Sequence, residues 1–97
     1  MVYTTRQQPG TVVANTSQTV SAACPAGYAA AGGGARIIDS TTGQPISGAV
    51  ISESRPVTST TQPSNGQQAS GWQSTIWFAQ NATNVIVDAY AICTPIA

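Results

Sequence analysis

Residues 71–93, GWQSTIWFAQNATNVIVDAYAIC, carry the clearest structural signal in this 97-residue chain. In the first part of the stretch, Trp72, Ile76 and Phe78 fall on the same face at even spacing. Side chains that repeat at even spacing are typical of a β-strand, because successive strand side chains point to opposite faces. The pattern therefore predicts a strand over residues 72–78.

The second part of the same stretch is apolar on both faces. Residues 85–93 place apolar side chains on each side of the chain, with Asp88 the only charged residue among them, which favours a strand in the interior of a sheet. Between the two strands, residues 80–84 are polar and rich in Asn, as in a hairpin loop longer than the tightest turns. We predict that a β-hairpin over residues 72–93 forms the centre of the fold.

Short β-type runs recur along the rest of the chain, separated by Gly, Pro and Asn, which punctuate strands. They cover residues 11–13, 18–24, 28–31, 35–38 and 49–55. No window of about ten or more residues repeats apolar side chains with the spacing of an amphipathic helix. The prediction is an all-β fold, a compact antiparallel β-sandwich or partly closed barrel of about six to eight strands.

The length suits one domain, because so short a chain buries only about two-thirds of its surface and has no room for a second core. Residues 1–17 are expected to form an extended N-terminal arm, with Pro9-Gly10 as a break, and residues 18–97 the β-sandwich domain. The arm packs on its own domain, docks on a neighbouring subunit or stays disordered. Residues 57–70 are polar and predict an exposed loop, either a flexible connector or a binding element.

Charge is scarce in this chain. It has three arginines, three acids, no histidine and no net charge. Nucleic-acid binding depends on many Lys or Arg contacts to phosphates, which three arginines cannot supply. No apolar run approaches the roughly twenty residues that a membrane-spanning helix needs. Because a surface without net charge gives little repulsion between copies, we expect the chain to work in a protein assembly, without nucleic acid and without a membrane span.

The same composition argues against catalysis. Histidine and lysine are absent, so the usual general bases are missing and a carboxylate pair would be required. Asp88 lies in the most apolar strand, where a buried carboxylate is a candidate catalytic group. The simpler explanation is that Asp88 faces outward or pairs with Arg36 or Arg55. We predict no enzyme activity, no catalytic residue and no cofactor, and no metal site, since two thiolates without histidine leave a tetrahedral ion short of ligands.

Cys24 and Cys93 are the two cysteines of the chain, and they stand near the start and at the end of the strand pattern. A disulfide between them would close a loop of about seventy residues, worth roughly 4 kcal/mol through the lost entropy of the unfolded chain. Both cysteines fall on apolar strand faces that can face each other. We therefore favour a disulfide over two buried free thiols.

Glycines and aromatic residues mark places of close packing. The glycines at positions 32–34 predict a β-bulge, or a site where another backbone or an aromatic ring approaches the strand closely. A phosphate-binding loop is disfavoured, because no Gly-Lys-Ser/Thr and no helix pattern follow. Trp72 is expected to fill the core and Trp77 to lie on the surface, where an aromatic ring can stack on a sugar.

Five short motifs occur in order along residues 18–93. They are Cys24-Pro25-Ala26-Gly27, Gly32-Gly33-Gly34, Ser54-Arg55-Pro56, Gly71-Trp72 and Ala89-Tyr90-Ala91-Ile92-Cys93. This order resembles a small β-domain of bacteriophage virion proteins and secreted actinobacterial proteins. The resemblance implies a β-sandwich whose two cysteines are bridged, in proteins that serve in virions or at cell surfaces without known catalysis. Residues 1–17 and the long polar loop lie outside it.

These features together predict a structural virion protein, a bacteriophage capsid decoration or cement subunit at the virion surface. Its expected partners are capsid or fibre proteins and itself, as a homo-oligomer with a trimer as the expected state. One alternative is a receptor-binding adhesion module of a tail fibre or spike, with a host glycan as ligand. The other is a secreted, extracellular bacterial surface domain. The candidate partner-binding residues are Val2, Tyr3, Arg6, Trp77, Asn65, Gln67 and Gln68.

Overall fold

Six β-strands make up the part of the chain that the structure describes. The computed structural model describes residues 1–58, 63 and 66–96, and within these residues there is no helix. The strands are β1 Val2–Val12, β2 Thr16–Ala23, β3 Tyr28–Asp39, β4 Ala49–Val57, β5 Gly71–Phe78 and β6 Ala82–Pro95. The all-β prediction is confirmed, with the strand number at the lower end of the expected range.

The strands form two antiparallel, three-stranded sheets that pack as a β-sandwich. Sheet A has the order β1-β6-β3, and sheet B has the order β2-β5-β4. Only the connection between β4 and β5 joins neighbours within one sheet, and each of the others crosses from one sheet to the other. The central strands are therefore β6 in sheet A and β5 in sheet B, each flanked by two edge strands.

The predicted hairpin over residues 72–93 is wrong. Its two strands, β5 and β6, follow each other in sequence but belong to different sheets. Their apolar inner faces meet across the core instead of lying side by side, with Ile76 and Phe78 in the same buried cluster as Val85 and Val87. Alternation shows which face of a strand is apolar, but it does not show which strand lies beside it.

The core lies between β5 and β6 and their neighbours. Side chains from both sheets are buried there, and the sequence prediction that residues 85–93 form an interior strand is confirmed by the central place of β6. Each fully buried aliphatic or aromatic side chain contributes about 1.5–3 kcal/mol to folding. The buried cluster consists of Val12, Val20, Ala22, Ile76, Phe78, Val85, Val87, Ala89, Ala91 and Cys93.

The N-terminal residues lie within the sandwich. Residues 2–12, expected as part of an arm ahead of the β-domain, form β1 and pair antiparallel with β6. The register shifts between Gln7 and Gly10, at the predicted Pro9-Gly10 break, and Gly10 has a φ of +75°. A proline is tolerated here because an edge strand bonds a neighbour on one side only. β1 was not predicted as a strand of the sandwich because its residues are mainly polar, and an edge strand needs few apolar residues.

Two further strands are longer than predicted. β3 runs without interruption through the glycines at 32–34, with a bulge between Ala30 and Gly32. Across the core, Trp72 of β5 packs against Gly33, so the predicted close approach of an aromatic ring is confirmed. Trp72, expected to fill the core, is only partly buried and packs against the buried cluster. β4 continues through Pro56 to Val57, which an edge strand again allows.

A disulfide joins the two sheets. Cys24, directly after β2 of sheet B, is bonded to Cys93 of β6 in sheet A, with Cα atoms 5.8 Å apart. The predicted disulfide is confirmed. The bond lies beside the small, buried side chains of Ala22 and Ala91, and it ties the two sheets together there.

Candidate docking site

The outer surface of sheet A carries charged and apolar side chains next to each other. In an antiparallel sheet, residues directly opposite each other point to the same face, so the strand registers identify this set. The outward residues are Val2, Thr4 and Arg6 of β1, Ile86, Asp88, Tyr90 and Ile92 of β6, and Gly32, Gly34, Arg36 and Ile38 of β3. We call this set the sheet A face.

Asp88 lies at the centre of the sheet A face between two arginines. Arg6 Nε and Nη2 donate to the two carboxylate oxygens of Asp88 at 2.7 and 2.9 Å, and Arg36 Nε donates to Oδ2 at 3.1 Å. Asp88 is 4% exposed, whereas the arginine side chains are 46% and 61% exposed. The carboxylate is thus buried beneath two guanidinium groups that still reach the solvent.

The two arginines keep Asp88 ionised. Hydrogen bonds from Arg6 lower the pKa of the Asp88 carboxyl most, burial opposes them, and Arg36 adds a further lowering. The same contact with Asp88 raises the pKa of Arg6. The role of structural counterion explains a carboxylate in so apolar a strand. The predicted pairing with Arg36 is confirmed, while Arg55 donates to Glu53 at 3.0 Å and not to Asp88.

Arginine N–H groups remain available on the sheet A face. Arg36 uses only its Nε in the contact with Asp88, and Arg6 uses Nε and Nη2. Among the residues that the structure describes, the other N–H groups of these two guanidiniums have no protein partner. Two positive groups share one carboxylate, so this face has a surplus positive charge. Such groups suit a carboxylate on a partner, which arginine can bind with two parallel hydrogen bonds.

Arg6, Asp88 and Arg36 lie opposite one another on neighbouring strands, and we call them the charged row. Apolar side chains flank this row. Val2 is 62% exposed, Ile92 42% and Tyr90 37%. The glycines of β3 make room for them, because a Cβ added at Gly34 would lie 2.6 Å from the Tyr90 hydroxyl oxygen. Tyr90 therefore lies flat across β3. Tyrosine and arginine are enriched in protein–protein interfaces, and the combination is typical of a docking surface.

The outer surface of sheet B is different in character. It is mainly polar, with Thr19 and Thr75 hydrogen-bonded at 3.1 Å and Ser21 donating to Gln73 at 3.1 Å. At one end Trp77 is 38% exposed beside Val50, its cross-strand neighbour. We call this the Trp77 patch. A half-exposed indole bordered by hydroxyl and amide groups is chemically suited to a sugar ring, and the predicted surface position of Trp77 is found.

The candidate partner-binding residues do not form one site. Val2 and Arg6 belong to the sheet A face, whereas Tyr3 points to the other side of β1, opposite Ala91. Trp77 lies on the outer surface of the other sheet. Gln67 and Gln68 are exposed in the β4–β5 connection, and Asn65 lies outside the described residues.

Sequence reasoning missed Tyr90 and Ile92, the exposed apolar residues of the central strand on the sheet A face. Tyr90 and Ile92 stand on one side of an alternating strand whose other side is fully buried. Because both sides of this strand are apolar, the alternation alone did not show which side would be exposed. The signal that distinguishes them is residue size, because the inward positions between 89 and 93 are Ala, Ala and Cys, which fit a thin core beside a disulfide.

Within residues 1–58, 63 and 66–96, no group of three or more His, Cys, Asp or Glu side chains is placed to hold a metal ion. No helix there has the length and apolar character needed to cross a membrane. Comparisons with protein-family models, with curated proteins and with solved structures found no match to this chain.

Proposed function

We propose that this protein is a structural virion protein, a decoration or cement subunit that docks on a bacteriophage capsid and stabilises the shell. The observation that supports it best is the sheet A face, where exposed Tyr90 and Ile92 lie beside the arginine pair around Asp88. An apolar and aromatic centre with arginine donors is the composition that protein interfaces favour. The resemblance of the chain's motifs to a virion β-domain supports the same role.

The rigidity of the site is a second support. The exposed side chains stand on β6, the central strand of sheet A, which is bonded to strands on both sides and joined to sheet B by the Cys24–Cys93 disulfide. A side chain on such a strand loses little further freedom when it binds, so more of the contact energy appears as affinity. A structural disulfide also fits a particle that persists outside the cell, as it fits the alternative role of a secreted surface domain.

The Trp77 patch favours a second candidate function, a glycan-binding adhesion module of a fibre or spike. Its basis is the half-exposed Trp77 beside Val50, with polar strand residues around it. The two functions use opposite surfaces of the sandwich. They can therefore be separated by single substitutions.

The experiment is reconstitution on particles of the phage that encodes the chain. Particles that lack this protein are mixed with purified protein, and bound copies are counted after sedimentation. We expect saturable binding of the wild type, binding weakened at least about tenfold by Ile92→Thr or Arg36→Gln, and an unchanged affinity for Trp77→Ala. All four proteins must have the same circular dichroism spectrum.

The opposite pattern would refute the capsid role. Loss of binding for Trp77→Ala with retention for Ile92→Thr, together with binding to a glycan array, supports the adhesion module. Failure of the wild type to bind any part of the particle contradicts both virion roles and leaves the secreted domain.

A further inference from the structure

One side of the sandwich ends in two open strand edges. β1 bonds only to β6, and β2 bonds only to β5, so the outer backbone edge of each has no partner among the described residues. The two edges lie together, because Gln18 Nε2 of β2 donates to Gln7 Oε1 of β1 at 2.6 Å. This bond joins the sheets at their rim and presents both edges to one side.

The opposite side is protected. The β3 edge is covered at both ends, since Ala30 N donates to the carbonyl of Ala69 and Ile46 N donates to the carbonyl of Ile37. The β4 edge carries Pro56, a register shift and the charged pair of Glu53 and Arg55. Proline, bulges and charges are the features by which natural proteins block pairing at sheet edges.

The open side has these features only at one end of β1, where Pro9 and the register shifts around Gly10 lie. β2 has no proline, glycine or charged residue over residues 16–23, and residues 2–7 of β1 have none except Arg6, whose guanidinium is bound to Asp88. Unprotected edges of this length are templates for a further strand. The asymmetry between the two sides of one small sandwich indicates that the open side is an interface.

The hydrogen bonds at the N-terminus show which backbone N–H and C=O groups of β1 bond to β6 and which point to the open side. Met1 N donates to the carbonyl of Cys93 at 3.0 Å, and Cys93 N donates to the carbonyl of Met1 at 2.7 Å. In an antiparallel pair, residues alternate between bonding the neighbour and pointing away from it. Tyr3 and Thr5 therefore bond β6, while the backbone groups of Val2, Thr4 and Arg6 point to the open side.

We propose that two copies of this chain pair along this side, β1 with β1 and β2 with β2, about one two-fold axis. An axis perpendicular to the sheets makes both pairings antiparallel at once and extends each three-stranded sheet into a six-stranded one. The inference concerns self-association alone and holds whether or not the protein is part of a virion. It selects a dimer where the sequence suggested a trimer.

Charge and register both suit a second copy as the occupant. With Thr4 opposite Thr4 of the other copy, Arg6 faces the uncharged Val2 and not the second Arg6. When the backbone N–H and C=O groups of Val2, Thr4 and Arg6 on the open edge pair between the two copies, they form about six hydrogen bonds. Facing threonines form a favourable cross-strand pair. A chain with no net charge adds little long-range repulsion between the copies.

The test is sedimentation velocity of the full chain over a range of concentrations, with two substitutions at one position. Thr4→Pro removes an N–H that points away from β6, so it blocks the new pairing without breaking a bond inside the chain. Thr4→Val keeps the N–H and is the matched control. We expect a concentration-dependent dimer for the wild type and for Thr4→Val, and association weakened at least about tenfold for Thr4→Pro, with an unchanged circular dichroism spectrum.

Amide hydrogen exchange provides a second readout that does not depend on the proline variant. In the wild type the Thr4 amide should exchange at least about tenfold more slowly at high protein concentration than at low concentration. A monomer at every concentration, a trimer, or a Thr4 amide whose exchange is independent of concentration would overturn the inference. So would a dimer that persists undiminished in a folded Thr4→Pro protein.

Discussion

Gly33 of β3 lies directly against Trp72 of β5, so closely that a Cβ at position 33 would stand 2.2 Å from Trp72 Cγ. The same Cβ would lie 2.5 Å from the backbone oxygen of Tyr90. The indole cannot move away freely, because its Nε1 donates to Ser54 Oγ at 2.8 Å. Contact between the two sheets at this point therefore requires a residue without a side chain.

Gly33→Ala should destabilise the protein by at least about 2 kcal/mol, since the added methyl overpacks a rigid contact. Gly32→Ala is the matched control, because the nearest atom to its added Cβ is Ile92 Cδ1 at an ordinary 3.7 Å. We expect the control to remain within about 0.5 kcal/mol of the wild type. Urea unfolding of the three proteins measures the difference, and equal stabilities for the two alanine variants would contradict the packing described.

Removing the negative charge of Asp88 and removing the positive charges of Arg6 and Arg36 should lower the free energy of unfolding by different amounts. Asp88→Asn leaves two arginines that can turn to water, and it should cost about 1.5–3 kcal/mol, the range for lost hydrogen bonds to a charged group. Removing both Arg6 and Arg36 leaves the carboxylate buried without a partner, which costs more. Of the single variants, Arg6→Ala should be worse than Arg36→Ala, because Arg6 binds both carboxylate oxygens.

The free energies of unfolding of Asp88→Asn, Arg6→Ala, Arg36→Ala and the double arginine variant give the ranking of these stability losses. An Asp88→Asn protein less stable than the double arginine variant would show that the guanidiniums, not the carboxylate, depend on this contact. Trp77→Ala, on the other sheet, controls for the general effect of a surface substitution.

Stability should fall in acid because of Asp88. Its folded-state pKa lies below the value of about 3.9 in unfolded chains, owing first to the hydrogen bonds from Arg6. The folded state therefore binds fewer protons, so this contribution is complete above the unfolded pKa and is lost as the pH falls through the lower, folded value. We expect the free energy of unfolding to decline below about pH 4, and the decline to be smaller in Asp88→Asn. If the free energy of unfolding falls with pH by the same amount in the wild type and in Asp88→Asn, Asp88 is not the cause of the decline.

Reduction of the disulfide should remove a large part of the stability. Cys24 and Cys93 are 69 residues apart, and the entropy of so long a loop is worth about 4 kcal/mol out of the about 5–15 kcal/mol typical of a domain. The Cys24→Ala, Cys93→Ala double variant and the reduced wild type should both show this loss in denaturant unfolding. A loss below about 1 kcal/mol would mean that the bond adds little to the packing of the sheets.

Much of the fold could be predicted from local pattern. The alternation of residues 72–78 and the two apolar faces of residues 85–93 identified the central strands, and the glycines at 32–34 indicated the aromatic contact that Trp72 makes. These signals depend on residues near in sequence. The pairing of strands does not, and so the hairpin predicted between β5 and β6 proved to be a crossing between sheets.

The candidate site could be predicted only in part, for the same reason. Asp88 in an apolar strand required a partner, and Arg36 was one of the two arginines proposed. Arg6 was not, because β1 shows no apolar period and its place beside β6 depends on backbone hydrogen bonds that any sequence can make. The exposure of Tyr90 and Ile92 arises because no described residue forms a further layer over sheet A, and no local pattern reveals this.

We propose that the sheet A face binds the shell of a virion, and a single-particle reconstruction of that virion is the decisive measurement. We predict density for a six-stranded sandwich on the capsid surface, with Tyr90 and Ile92 within about 4 Å of shell residues and Trp77 directed away from the shell. A capsid map without this sandwich, or one in which Trp77 contacts the shell and Tyr90 faces solvent, would contradict the claim.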